Sequence, residues 1–181
     1  MREISFRWLL NQRSLNLRSI VTGSATFNTI HASELADPSE FTSPGALMLT
    51  LGLAFQEEAK GFERYGAALA AAGVQGIGFG TGLAFDEVPT ELIHACSQHN
   101  LTLFEIPRDT RFVSITTAVS QEQARLDNNA QFALHRQQER LNQAAATSIG
   151  ALTLQASKEL GAAVAVASST GVVVSRSDRG R

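Results

Sequence analysis

The stretch that decides the fold covers residues 72–119 and reads AGVQGIGFGTGLAFDEVPTELIHACSQHNLTLFEIPRDTRFVSITTAV. Within it, residues 74–80 predict a strand, residues 89–99 a helix and residues 101–106 a second strand. Phe112 then opens another helix. Strands that alternate with helices imply a parallel sheet with helices packed on it.

A second unit of the same kind lies immediately upstream. Residues 46–50 form a continuous apolar run, which is typical of a strand buried on both faces. Residues 57–72 predict a helix, because apolar side chains recur from Phe62 onward at spacings of three and four. Gly73 stands where a helix C-cap glycine belongs. The other predicted elements are a short helix capped by Ser5 and strands at residues 17–21 and 29–32.

The sequence therefore predicts an α/β protein with a small, mostly parallel sheet and flanking helices in the order βαβαβ. After Phe112 the character of the chain changes, because residues 114–160 contain no proline and a single glycine, Gly150. These residues predict a long helix with a break near Gly150. Its weakly apolar stripe needs a partner, so we expect a homodimer through this helix. The alternative is that the helix folds back on its own sheet.

The last segment predicts a β-hairpin formed by residues 163–167 and 172–174. A lone hairpin is marginal in water, so we interpret it as the truncated start of a further domain. The predicted division of the chain is a globular domain at residues 1–119, a connecting helix at 120–160 and the start of the next domain at 161–181.

Composition excludes several classes of protein. Of 181 residues, 44% are hydrophobic and 18% charged, as in ordinary globular domains, and the net charge of −2 argues against a sequence-independent nucleic-acid surface. The single cysteine, Cys96, excludes an intramolecular disulfide and fits a reducing compartment. No apolar run is long enough for a membrane span, and the first residues do not have the pattern of a signal peptide. We therefore expect a cytoplasmic protein.

Four glycines, Gly76, Gly78, Gly80 and Gly82, alternate with other residues along and just after the strand at 74–80. On a strand they share one face, which is left bare. The spacing lacks the third glycine of a dinucleotide fingerprint and the Lys-Ser or Lys-Thr of a phosphate-binding loop. The pattern favours close packing of a helix, with contact to a ligand as the alternative, because open α/β sheets bind ligands at the carboxyl ends of their strands.

Charged residues also follow the predicted strand ends, and their mixed signs favour solvated ion pairs over acid–base catalysis. These residues are Asp86, Glu87, Glu105, Arg108, Asp109 and Arg111. His31 is expected to be a structural histidine paired with Glu34 or Asp37.

Metal binding and catalysis lack support in the sequence. His94, Cys96 and His99 have the composition of metal ligands, but only Cys96 and His99 would share a helix face. Packing of Cys96 in the core is favoured over a zinc site. No nucleophile has a base nearby in sequence, and no Gly-x-Ser-x-Gly motif is present. We therefore predict no catalytic set, no metal site and no cofactor.

Several of these segments, taken together and in order, resemble the N-terminal domain of PucR-type transcriptional regulators. The matching stretches are HASELADP at residues 31–38, PGALMLTLG at 44–52, AGV at 72–74, GIGFG at 76–80, EVP at 87–89, LFEIP at 103–107 and FVSITTAV at 112–119. Two departures stand out: Thr29 replaces the aromatic residue usual in the family, and Leu51 replaces a second threonine.

The resemblance implies an effector-sensing domain of a cytoplasmic regulator, whose DNA contacts are made by a C-terminal helix-turn-helix absent from these 181 residues. The hypothesis is that a small metabolite, such as a purine-derived or other nitrogen compound, binds near the strand ends. The candidate ligand-binding residues are Thr50, Gly52, Gly78, Gly80, Glu87 and Glu105. The alternative is a protein-interaction and dimerisation module without a ligand, and an enzyme is the least favoured class.

Overall fold

The computed structural model describes residues 2–57 and 60–177. The chain divides into two compact units, Met1–Arg125 and Leu126–Arg181. The strands are β1 (Ile4–Ser5), β2 (Arg18–Val21), β3 (Thr26–Phe27), β4 (Thr29–Ala32), β5 (Ala46–Thr50), β6 (Gly76–Gly80), β7 (Thr102–Ile106), β8 (Val164–Ala167) and β9 (Val173–Ser177). The helices are α1 (Phe6–Leu10), α2 (Gly61–Ala71), α3 (Thr90–Gln98), α4 (Phe112–Thr147) and α5 (Ile149–Leu160). Short 3-10 helices cover Arg13–Leu15, Ser39–Phe41 and Leu53–Phe55.

The first unit is built on a five-stranded sheet with the order β2-β7-β6-β5-β4. Strands β4, β5, β6 and β7 are parallel, and β2 pairs with β7 in the antiparallel sense. Helix α2 connects β5 to β6, and α3 connects β6 to β7, so two βαβ units share β6. The predicted α/β class with a mostly parallel sheet is confirmed.

The two faces of the sheet are covered by different helices. On one face, Ile77 and Phe79 of β6 join a buried cluster with Phe62 and Tyr65 of α2 and with Leu92 of α3. The opposite face carries the glycines of β6, and residues from α1 and from the start of α4 cover it. All five residues of β5 and all five of β6 are buried, which explains why these strands read as uninterrupted apolar or glycine-rich runs.

Helix α2 begins at Gly61, whereas the predicted helix starts at residue 57, and residues 58 and 59 of that prediction lie outside the described residues. A Cβ atom on Gly61 would lie 2.6 Å from the Phe55 ring, so the chain turns here with an aromatic side chain against its backbone. The helix ends as predicted, because Gly73 adopts φ +80° directly after Ala72.

In the second unit, the long helix predicted for residues 114–160 is interrupted. Helix α4 ends at Thr147, and Ser148 is extended at φ −171° and ψ 162°. The Ser148 hydroxyl accepts a hydrogen bond of 3.0 Å from the Ala151 amide, which caps α5. The expected break near Gly150 is therefore present, two residues earlier.

The rest of the second unit packs on α5. Gly161 ends that helix at φ +62°. Strands β8 and β9 form the predicted antiparallel hairpin, and the Ser175 hydroxyl of β9 lies 2.8 Å from the Thr153 hydroxyl of α5. Arg140 of α4 donates to Glu159 of α5 at 2.9 Å. The division of the chain at residues 119 and 160 stays a prediction.

Among the described helices, none combines the length and the apolar character needed to span a bilayer.

Candidate functional site

The carboxyl end of β5 is organised by one carboxylate, that of Glu34. Its two oxygens accept hydrogen bonds from the Leu51 amide at 2.7 Å, the Leu53 amide at 3.1 Å and the Thr50 hydroxyl at 3.1 Å. The Thr50 hydroxyl in turn accepts from the Gly52 amide at 3.0 Å. Three backbone donors of the turn that follows β5 are thus satisfied, which fixes the path of residues 50–53.

Gly52 is required by this turn for two reasons. It adopts φ +74°, a backbone conformation that residues with a Cβ atom rarely take. An added Cβ would also lie 2.9 Å from the Phe79 ring and 3.1 Å from the Phe62 ring. Gly52 therefore serves the close packing of the turn on the aromatic core.

The glycine face of β6 is filled by neighbouring side chains. An added Cβ would meet the Phe6 ring at Gly76, Leu49 and the Phe104 ring at Gly78, and Leu51 with the Phe112 ring at Gly80, in each case at a nearest distance of 2.6 or 2.7 Å. The rings come from α1, from β7 and from the start of α4. Close approach of helices α1 and α4 to the sheet, the interpretation favoured by the sequence, is therefore the role of Gly76 and Gly80, whereas Gly78 leaves room for side chains of the neighbouring strands β5 and β7.

Glu105 joins two strand ends on the opposite face. It accepts a hydrogen bond of 2.8 Å from the Thr81 hydroxyl, just after β6, and forms a 3.3 Å salt bridge with Arg18 of β2. Arg18 is the residue opposite Glu105 across the antiparallel pair. Glu105 therefore holds together residues that are distant in the sequence.

A hollow of about 240 Å³ lies at the carboxyl ends of β6 and β7. Its lining combines apolar side chains with two arginines, and we call it the carboxyl-edge hollow. It is lined by Leu51, Gly80, Thr81, Leu83, Ile106, Pro107, Arg108, Thr110, Arg111 and Phe112.

Within the described part of the chain, the two arginines of the carboxyl-edge hollow form no salt bridge with a carboxylate. Arg108 donates a hydrogen bond of 2.5 Å to the Gly82 carbonyl, and Arg111 makes no hydrogen bond or ion pair within residues 2–57 and 60–177. The first turn of α4 begins at Phe112, directly after Arg111, and a helix N-terminus carries a partial positive charge. Both charged residues that line the hollow are thus cationic, and for this reason we call the hollow electropositive.

The structure brings four of the six sequence-predicted ligand residues to this edge of the sheet. Gly80 lines the hollow, Glu105 bonds the lining residue Thr81, and Thr50 and Gly52 flank Leu51. Gly78 lies one step further inside the sheet, beneath Leu49 and Phe104. Glu87 is exposed and makes no contact with the other described residues that would place it in a site.

The sequence did not reveal that Glu34 accepts the hydrogen bonds of the turn after β5. It also led to the interpretation of Arg108 and Arg111 as members of solvated ion pairs. The position of the arginines directly after a predicted parallel strand was the signal that pointed to the site. Glu34 had no comparable signal, because its partners lie 16–19 residues further along the chain.

The expected pairing of His31 is wrong. Glu34 engages the turn after β5 instead, and the Asp37 carboxylate accepts from the Ser39 amide at 3.1 Å. The Ser39 side chain, followed by this amide, lowers the pKa of Asp37. The His31 Nε2 atom is buried without a hydrogen bond to any described residue. The Tyr65 hydroxyl is also buried, and burial raises the pKa of Tyr65 above its usual range.

Cys96 is buried in the aromatic cluster between α2 and α3. Burial raises the pKa of its thiol to about 12, so the sulfur stays protonated and behaves as a small apolar group. In the part of the chain that the structure describes, no three His, Cys, Asp or Glu residues are grouped as metal ligands. His94 and His99 are thus not joined to Cys96 in a metal site there.

These features define a class of protein: an α/β domain with a mostly parallel sheet and an electropositive hollow at the strand ends. A model of the Purine catabolism regulatory protein-like family matches residues 8–122, which is more than half of the chain. The chain belongs to this family, and the resemblance inferred from its motifs is confirmed.

One solved structure similar to this chain contains the CBS and DRTGG domains of the regulatory region of Clostridium perfringens pyrophosphatase, complexed with its activator, diadenosine tetraphosphate. The match has 12% sequence identity and a TM-score of 0.43, and it covers 97% of this chain and 69% of that chain. No curated protein matches the chain.

Proposed function

We propose that this chain is the effector-sensing part of a cytoplasmic regulator and acts without catalysis. The supporting observation is the electropositive hollow at the strand ends of a domain whose family is regulatory. In this proposal, DNA is contacted only by a helix-turn-helix domain outside these residues. Of the six sequence-predicted residues, Gly80 contacts the effector in this proposal, Thr50, Gly52 and Glu105 position the lining, and Gly78 and Glu87 take no part.

The chemistry of the hollow points to a small anionic metabolite. Arg108 and Arg111 supply positive charge, and a guanidinium binds a carboxylate or phosphate through paired hydrogen bonds. Leu51 and Phe112 supply apolar contact on the other side. The volume of about 240 Å³ lies below the range of roughly 300–1,000 Å³ for pockets that hold drug-sized ligands. The effector is therefore smaller than a nucleotide, and an acidic nitrogen metabolite has the right chemistry.

The start of α4 is the element through which an effector would act. Phe112 lines the hollow and covers Gly80, and Ile115 and Val119 on the next turns are buried in the first unit. Gln123 donates to the Asn28 carbonyl at 2.8 Å. An effector with different affinity for two arrangements of these turns shifts the balance between them.

Binding is tested by calorimetry with a panel of small carboxylates and purine catabolites. Arg111→Gln is expected to weaken binding of an anionic hit about fivefold or more, because it removes a charge-assisted hydrogen bond. Arg136→Gln is the control, since Arg136 is an exposed arginine of the second unit and the change in charge is the same. A panel without any binder would contradict the proposal, and so would equal affinities in the two variants.

The second candidate is a ligand-free dimerisation module. It is favoured by large apolar side chains that are exposed on the helices of the second unit, namely Phe132, Leu134, Leu154 and Leu160. Sedimentation of the whole chain is expected to give the mass of a homodimer. Phe132→Glu is expected to weaken the dimer, whereas Gln138→Glu adds the same charge at a polar exposed position. A monomer at high concentration would remove this candidate.

A further inference from the structure

A larger cavity, which we call the α1 groove, lies at the amino ends of the parallel strands. It has a volume of about 670 Å³ and is bounded by α1, by the edge strand β2 and by the first residue of β7, Thr102. The α1 groove and the carboxyl-edge hollow occupy opposite ends of the glycine face. Phe6 covers Gly76 at one end, and Phe112 covers Gly80 at the other.

The floor of the α1 groove is apolar, and hydrogen bonds hold one of its walls in place. Phe6 is buried, and Leu10 and Leu17 are half-buried beside it. The Thr102 hydroxyl donates to the Ser24 carbonyl at 2.7 Å and accepts from the Gly23 amide at 3.1 Å, while the Ser24 hydroxyl donates to the Asn100 carbonyl at 3.2 Å. These bonds hold residues 22–25 in place as one wall.

The remaining polar side chains of the lining are exposed to solvent. Ser5, Arg7, Asn11, Ser19 and Thr22 make no side-chain hydrogen bond or ion pair with the described part of the chain. Their polar groups are therefore open to a ligand in the groove, and a few such groups can orient a mainly apolar ligand. Arg7 is the one charged residue in the lining.

We propose that the α1 groove is a second small-molecule site, separate from the effector site, that takes a planar ring compound carrying one carboxylate. The ring lies on the half-buried side chains of Leu10 and Leu17, which present an apolar surface to a flat ligand. The hydroxyls of Ser19 and Thr22 and the amide of Asn11 bond the polar edges of the ring. Arg7 pairs with the carboxylate at the exposed rim.

The test uses indole-3-carboxylate as the probe, with indole as the analogue that lacks the charge. Both are titrated into the ¹⁵N-labelled whole chain, and amide shifts are followed by NMR. We expect saturable shifts at the residues that line the α1 groove, with a Kd on the order of 1 mM for a molecule of this size. Arg7→Gln is expected to weaken the probe about threefold and to leave indole unchanged.

Ser19→Phe fills the α1 groove and is expected to abolish both sets of shifts. Ile20→Phe is the matched control, because Ile20 is exposed on the same strand and does not line the groove. The dispersion of the spectra shows whether each variant is folded, and Thr22→Phe blocks the same space from another position. Absence of saturable shifts at the groove, or shifts that persist in both filled variants, would overturn the proposal. Arg111→Gln, which alters the carboxyl-edge hollow, is expected to leave binding of the probe to the α1 groove unchanged. Failure of the effector proposal can therefore be distinguished from failure of this one.

Discussion

Replacement of Glu34 by alanine probes the contact that shapes the carboxyl edge of the sheet. The change removes the acceptor of the Leu51 and Leu53 amides and of the Thr50 hydroxyl in one step. Thr50 is buried, so its hydroxyl is not rehydrated without local opening, whereas Leu53 is exposed and its amide can bond water. The loss is therefore concentrated on Thr50 and Leu51.

A hydrogen bond to a charged group contributes about 1.5–3 kcal/mol, and an exposed donor regains part of this from water. We therefore expect Glu34→Ala to lower the free energy of unfolding of the first unit by about 2–4 kcal/mol. Glu34→Gln keeps one acceptor oxygen and is expected to cost about half as much. Glu87→Ala removes an exposed carboxylate without described partners and is expected to stay within about 0.5 kcal/mol of the parent.

Urea unfolding followed by fluorescence measures the effect. The single tryptophan, Trp8, lies in α1 and so reports on the first unit alone. With an m-value of about 2 kcal/mol/M, a loss of 3 kcal/mol moves the midpoint by about 1.5 M. Hydrogen exchange adds a local readout, because the Leu51 amide is expected to lose its protection in Glu34→Ala. A midpoint equal to that of Glu87→Ala, with Leu51 still protected, would refute the reasoning.

Two further predictions concern the glycine face and α4. Gly78→Ala places a methyl carbon 2.7 Å from Leu49 and is expected to cost about 2–3 kcal/mol by overpacking; a normal urea midpoint would contradict this. Two hydrogen bonds from Arg125 hold the pKa of Glu122 below its ordinary value. The ion pair therefore stabilises the fold at pH values above the ordinary pKa of Glu122, and this stabilisation is lost as the pH falls through the lowered pKa. Arg125→Met is therefore expected to flatten the decline in stability between about pH 6 and pH 3, and an unchanged pH profile would exclude this role.

Much of the secondary structure was predictable because its signals are local. Strand β5 matches its predicted bounds, since five apolar residues between turn signals leave few alternatives. Gly73 and Gly161 mark helix ends, because glycine adopts the left-handed backbone conformation there without the steric cost of a Cβ atom. The contact of Phe55 with Gly61 at the start of helix α2 was not predictable, because periodicity does not encode such a contact.

The candidate site was only partly predictable because its contacts span long distances in the sequence. The strand ends were identified, and Gly80 and Glu105 lie there. The pairing of Glu105 with Arg18, 87 residues away, follows from the placement of β2 beside β7. No local sequence pattern predicts that β2 joins the parallel sheet as an antiparallel edge strand beside β7.

By itself the sequence determined the class of the fold and the family, and it predicted the edge of the sheet at which the candidate site lies. These properties follow from periodicity, glycine spacing and motif order, which are local features of the sequence. The tertiary structure decided that the glycine face is filled by Phe6, Phe104 and Phe112, and that a cavity remains at each end of it. Such space depends on the volumes of side chains that only folding brings together, because a cavity is a property of packing and not of any single segment.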